Sequence, residues 1–433
     1  MNSRHLYTAT LLALCFAAAC TPSRNPETFF MPGEFEPHEA MWLGWEEYDT
    51  AQHQVVFGII RGLTGHVPVN IAVDSDSLKH VAQARLHRAG IDTSAIDFFV
   101  TPGERYWIRD HGAAFLVNNQ GGLAAADFGW SLYGYYDWWK LREPEKADSI
   151  APWEQNEWRG NTAKVDSLMG VITGAQHVKS KLIIEGGSIE SNGKGVLIQN
   201  EAVTLQRNPG WTKEEIEAEY KRVLGVTKVI WMKKGLADDE HIWHLHERKY
   251  VTMGTGGHTD EVVRFANANT ILLAWIDEGE RDQHPLNRIT YERLQENLKI
   301  LEAATDQDGN PFRIVKVPLP KLIEWPALVV EKKEDHEFWK LTPKAFLPAE
   351  RPQPGDTLIR VAASSYLNFL VTNGVVLNAT YTQHGTPAEV EDRVKAIFKD
   401  VFPDREQVWI DALPLNRNGG GIHCSTQQQP ARR

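Results

Sequence analysis

An α/β body is what this sequence predicts, on three observations. Strand-like and helix-like segments alternate along its whole length, the apolar and charged fractions are those of a globular protein, and no Pro/Ser-rich linker divides it. Of 433 residues, 42% are hydrophobic and 24% charged, and the unbroken body favours one continuous domain over two. The elements follow in order from local pattern. Residues 66–74 (HVPVNIAVD) read as a buried strand, and residues 77–90 as a helix closed by Gly90. IDFFV is a strand, then a polar loop runs into WIRDHG. Residues 181–200 read as two strands joined by a Gly-rich turn. Residues 212–225 form the clearest helix: Thr212 caps it, Glu214 and Glu215 favour its first turn, and Gly225 closes it. Further strands are expected in VTKVIWM, NTILLAWI, FRIVKVPL, residues 364–381 and REQVWIDA, with a second well-marked helix over residues 386–402. Residues 133–158, rich in aromatics and charge, read as a long loop over a site or an insertion.

The first twenty residues read as an export signal rather than fold. Arg4 and His5 precede an apolar stretch that leads into Ala17-Ala18-Ala19-Cys20. A Cys after small residues resembles a lipoprotein signal, which makes Cys20 the lipidation site of a membrane-anchored, exported protein in the periplasm or at the cell surface. Ala17, where Leu is more usual, departs from that pattern. Residues 21–30 are expected to be a tether and residues 31–430 a single domain. No other apolar run reaches the ~18 residues that a membrane span needs. Of the three Cys, Cys15 would be removed and Cys20 acylated, which leaves Cys424 as the only thiol. The net charge of -11 argues against nucleic acid and is compatible with a cationic substrate.

Three places carry residues suited to chemistry. In NRNGGGIHCSTQQQP, Gly419–Gly421 allow close backbone approach to a ligand, and His423 and Cys424 follow; a thiol attacks as thiolate and needs a suitable environment. In MGTGGHTDEVVRF, His258 and Asp260 are two apart, so an extended segment would point both to one face. The third is a pair of acid-plus-Gly segments, ERYWIRDHG with Asp110 beside Arg109 and IIEGGS with Glu185; salt bridges and turns use the same letters. His241, His244 and His246, with Asp238 and Asp239 upstream, do not have HExxH spacing, and no second Cys supports a zinc site, so neither metal nor cofactor is expected. No phosphate loop or G-x-S-x-G elbow occurs.

These segments resemble the agmatine deiminase and bacterial (Porphyromonas-type) peptidylarginine deiminase family. MPGEFEPHEAMWLGW is similar to the family's opening, WIRDHG to its Trp-x-Arg-Asp-x-Gly motif, EGGSIESNGKG to its Glu-Gly-Gly-Ser segment, GGHTDEVVRF to its Gly-His-x-Asp-Glu motif, and GGGIHCSTQQQP to its Cys motif. The five are co-linear over residues 31–430. The resemblance implies the pentein fold, a five-bladed pseudo-symmetric α/β propeller. It implies Cys424 as nucleophile, His258 as general acid/base, Asp110 and Asp260 as the carboxylates that grip a guanidinium, Glu185 as the acid supporting His258, and Trp107 as an aromatic beside the substrate. The implied reaction is hydrolytic deimination through a covalent thiouronium, releasing ammonia and a ureido product.

Departures from the family pattern fall near the expected site: Gly before Ile422 where Asn is frequent, Ala113 where Pro is common, and a longer segment over residues 238–255. They bear on the substrate rather than the reaction class. Agmatine, giving N-carbamoylputrescine, is the first expectation and an arginyl peptide the second. An amidinotransferase, which would pass the amidino group to an amine, and a non-catalytic lipoprotein that binds cationic ligands are the remaining alternatives.

Overall fold

The computed structural model describes residues 25–158, 160–334 and 339–433. The export signal and Cys20 therefore lie outside the described residues. Within the segment expected as a tether, the backbone of Pro26 accepts a hydrogen bond from Asn119, and Phe30 is buried and bridged to Val117. No described helix is long and apolar enough to cross a membrane.

Five small sheets repeat one plan, in which an antiparallel pair of strands is followed by a crossover to a third, parallel strand. Ala114–Val117 and Leu123–Gly129 pair antiparallel, and Gln176–Ile183 joins them in parallel. Ile189–Ser191, Val196–Asn200 and Lys228–Met232 make the second blade. Val263–Asn267, Thr270–Trp275 and Arg313–Pro318 make the third. Leu370–Thr372, Val375–Thr380 and Glu406–Asp411 make the fourth. The fifth is built from both ends of the chain, with Thr426–Pro430 antiparallel to His38–Trp45, which continues in parallel to Val69–Val73 and Ile96–Val100. This is the pentein plan. Its period is invisible in the sequence because the crossovers differ so much in length.

Burial on both faces explains why the parallel strands read as near-continuous apolar runs: every residue of Val69–Val73 and of Val196–Asn200 is buried. Helices cover the outside. Lys213–Leu224 has the expected Thr212 capping box and ends on left-handed Gly225. Ala388–Val401 packs Val394 and Phe398 into the main core.

Two expectations need correction. Residues 181–200 hold three strand segments in two sheets, because the short 3-10 turn Gly186–Ser188 separates the end of Gln176–Ile183 from the next blade. Residues 133–158 are not a loop but two helices, Tyr135–Arg142 and Ala147–Trp158, joined by a 3-10 turn. The long segment over 238–255 contains the strands Ile242–His246 and Tyr250–Gly254, which join Thr357–Val361 and Glu324–Leu328 in a sixth sheet outside the five-blade plan. Trp138, Trp243 and Phe346 form a separate core beneath these additions.

Candidate active site

Each blade's leading strand is entered through a short irregular segment, and those five segments converge. Asp110 lies in the one-turn helix Ile108–His111 ahead of the first blade. Glu185 precedes the second, and His258 with Asp260 the third. Asn368 precedes the fourth, and Cys424 precedes the last strand, Thr426–Pro430. Sequence reasoning expected His258 and Asp260 on an extended segment. They instead flank the start of the 3-10 turn Thr259–Glu261, and the tight turn brings both to the site. Asp110, likewise, sits on a helix rather than a strand end.

The structure brings all five expected polar residues together. His258 Nε2 lies 3.4 Å from Glu185 Oε2, and His258 Nδ1 lies 3.7 Å from Asp110 Oδ1. Cys424 Sγ is 3.6 Å from Asp260 Oδ2 and accepts a hydrogen bond from Asn368 Nδ2 at 3.1 Å. Gly187 occupies the middle of this group. A Cβ there would meet His258 Nδ1 at 2.7 Å and Asp110 Oδ1 and Asp260 Oδ2 each at 2.9 Å. Two of the three consecutive glycines have a similar cause: a Cβ on Gly420 would strike the Trp107 ring at 2.7 Å, and one on Gly421 would strike Asn368 Oδ1 at 2.4 Å.

Electrostatics divide these groups into two sets. Burial alone would lower the pKa of His258, but the charge of Asp110 and the Glu185 hydrogen bond and charge raise it to about 9, so the imidazole is protonated at neutral pH. Burial would raise Glu185, yet the Arg207 guanidinium, 2.8 Å away, and His258 hold it down to about 2. Asp260 is also held below the ordinary value despite burial, chiefly by its hydrogen bond and charge pairing with His423. Cys424 moves the other way. Burial and the charges of Asp260, Asp110 and Glu261 push its thiol well above the usual range. The thiol is therefore held in its protonated form, and a cation between the two aspartates would offset the charges that act on it.

Other contributors were not assigned a role from the sequence, although His423, His241 and Asp239 lie in segments that it singled out. Tyr133 donates its hydroxyl to Asp110 Oδ2 at 2.9 Å, from a turn in which Leu132 and Tyr133 both have left-handed backbones (φ 52 and 58). His241 bonds the Tyr133 carbonyl at 2.6 Å, which gives one member of the His-rich segment a structural task. His423 sits between Asp260 Oδ2 at 2.7 Å and Glu34 Oε2 at 2.6 Å, and Glu34 also faces Arg264 and Arg109. Asp239 accepts the backbone N–H of His258 at 2.8 Å.

A cavity of about 350 Å³ opens onto Cys424 and Asp110. Trp107, Tyr133, Tyr135, Ile242, Met253 and Trp339 wall it, so it is a mostly apolar slot with reactive groups at one end. Of the departures from the family pattern, Ala113 does not line it, whereas Ile242 from the 238–255 segment does, as does Tyr135 from the 133–158 segment.

The sequence profile of the Porphyromonas-type peptidyl-arginine deiminase family matches residues 30–430. The agmatine deiminase of Pseudomonas aeruginosa (strain LESB58) is 28% identical over 422 residues, covering 95% of this chain and 98% of that protein. Among solved structures, the Enterococcus faecalis agmatine deiminase superposes with a TM-score of 0.68 at 23% identity, over 94% of this chain and 96% of that one. A C. jejuni agmatine deiminase with substrate bound gives 0.65 at 19% identity, over 94% and 98%. At those identities the two structures support the fold.

Proposed function

The chain belongs to the Porphyromonas-type peptidyl-arginine deiminase family, and from that premise we propose that it hydrolyses the guanidinium of agmatine to a ureido group, giving N-carbamoylputrescine and ammonia. One observation carries the reading: a single thiol, two buried aspartates and a protonated imidazole braced by a carboxylate meet beside one apolar slot, which Cys424 and Asp110 line. A guanidinium is planar with several donors, so Asp110 and Asp260 would hold it and aim its carbon at Cys424 Sγ. The same cation would offset the negative charges that keep the thiol protonated. The Cys424 thiol gives its proton to solvent as the cation binds; as the thiolate attacks, His258 gives its proton to the departing nitrogen, the C–N bond breaks and ammonia leaves a thiouronium on Cys424. The imidazole, now neutral, takes a proton from water, whose oxygen attacks the same carbon; the C–S bond breaks, and the sulfur takes the hydroxyl proton as the ureido carbonyl forms, which restores the thiol. Trp107 is proposed to flank the substrate's alkyl chain. We also propose that the chain is exported and anchored through Cys20; labelling with a radioactive fatty acid, lost in Cys20→Ser, tests this.

Agmatine, free arginine and an arginyl peptide offered to residues 21–433 test the activity, with ammonia and ureido product measured. Agmatine should be turned over with the highest kcat/KM. A trapped adduct on Cys424 in mass spectra is expected, and turnover by Cys424→Ser would overturn the mechanism.

A further inference from the structure

Three buried donors meet at the nucleophile, and one of them has no part in the reaction above. Cys424 Sγ, an oxygen of Asp260 and an oxygen of Glu261 all lie within 4.8 Å of one another. Glu261 is 3% exposed, and neither of its carboxylate oxygens has a hydrogen-bond partner among the described residues; the same holds for Asp260 Oδ1. Buried carboxylates are normally hydrogen-bonded or paired, since desolvating one without compensation is unfavourable. Burial, with the neighbouring Asp260, Asp239 and Asp238 outweighing Arg264, pushes the Glu261 carboxyl well above the usual range, so a bound cation would also displace its proton. Buried oxygen lone pairs without partners beside a thiol form a donor set suited to a thiophilic divalent cation. Zinc takes sulfur at ~2.3 Å and carboxylate oxygen at ~2.0–2.2 Å, so small side-chain adjustments would close these donors around it. Of the three donors Cys424 lines the cavity, so a cation would arrive from the sulfur side.

We propose that Cys424, Asp260 and Glu261 form an inhibitory site for a thiophilic divalent cation such as zinc, which competes with the guanidine for the nucleophile. The competition rests on the deiminase reading above; the site itself does not. On binding, the S–H bond is replaced by a sulfur–metal bond, the proton goes to solvent, and no electrons are transferred. The metal acts as an inhibitor and has no part in turnover. The other candidate cluster, Glu240, His244 and His246, is already engaged: Glu240 pairs with Arg293 at 2.6 Å, and His246 Nε2 lies 3.2 Å from the Thr252 hydroxyl. It therefore serves as the control.

The test uses the folded chain with buffered free zinc during agmatine hydrolysis, and cobalt(II) as a spectroscopic probe without substrate. Zinc inhibition should be competitive with agmatine. Glu261→Gln, with inhibition read as a fraction of its own metal-free turnover, should need about a hundredfold more free zinc for half inhibition, as expected for loss of one anionic ligand. Should that variant fold poorly, Glu261→Asp, which keeps the charge and shortens its reach, should shift it by about tenfold. Cobalt should give a thiolate-to-metal band in the near ultraviolet, absent in Cys424→Ser. Equal inhibition of wild type and Glu261→Gln, no such band in wild type, or metal binding abolished by His244→Ala would overturn the proposal. A wild-type chain that gives the band yet hydrolyses no guanidine would refute the deiminase reading and support the metal site.

Discussion

Gly187 and His258 are the residues on which geometry and charge place the sharpest demands. A methyl group at Gly187 would fall among His258, Asp110 and Asp260, so Gly187→Ala should lower kcat/KM by about a hundredfold, ~2.7 kcal/mol of transition-state stabilisation. Steady-state kinetics checks this, and near-normal activity would show that the three side chains are not held in this arrangement. His258 links pH to stability. Its pKa is about 9 in the folded chain against 6.5 ordinarily, so its contribution is complete below about pH 6.5 and lost as pH rises through about 9. Glu185, at about 2 against 4.5, contributes above about pH 4.5 and loses that contribution as pH falls towards 2. Thermal midpoints should therefore fall on both sides of neutrality, and His258→Asn should flatten the alkaline side and, because His258 also holds Glu185 down, soften the acid side. An unchanged alkaline slope in that variant would contradict the assignment. Both residues were legible in the sequence as members of short motifs. The bond from His423 to Glu34 was not, because it joins residues 389 positions apart.

At the level of elements, local signals decided the helices far better than the turns. Thr212 accepts the Glu215 N–H, and Glu215 reaches back to the Thr212 N–H, so Thr212→Ala should cost about 1 kcal/mol in urea unfolding and leave turnover unchanged. Residues 133–158 misled for a physical reason. Apolar side chains lie all around Tyr135–Arg142 rather than in one stripe, and Pro144 and Pro152 read as breakers although Pro144 begins a 3-10 turn. The left-handed turn before this helix places Tyr133 on Asp110, and such backbones in non-glycine residues cost ~1–3 kcal/mol each. Tyr133→Phe removes the hydrogen bond without changing the turn. It should raise KM for agmatine and lower kcat/KM about tenfold, the scale of one hydrogen bond to a charged group; unchanged kinetics would reduce Tyr133 to a wall residue.

Closure of the whole molecule depends on its two ends. The strand Thr426–Pro430, buried throughout, pairs with His38–Trp45 and completes the fifth blade directly after Cys424. A chain ending at Ser425 keeps every proposed reactive side chain, yet should lose both turnover and its cooperative thermal transition. An intact transition at the normal midpoint would show that the ring closes without that strand. No sequence window joins these ends, and their pairing becomes favourable only when four other blades have brought them together.

By itself the sequence determined the alternating α/β class, the strand and helix cores set by apolar pattern and caps, and the identity of the short motifs around Cys424, His258, Asp110, Asp260 and Glu185. These rest on propensities and patterns that act within a few residues. Tertiary structure alone decided that Glu185 braces His258 against Asp110, that Asn368 and Tyr133 reach the site, that His423 ties Asp260 to Glu34, and that Glu261 is left buried beside Cys424 without a hydrogen-bond partner among the described residues. Desolvation and charge pairing act through space, so those relations exist only once the blades have closed on one another.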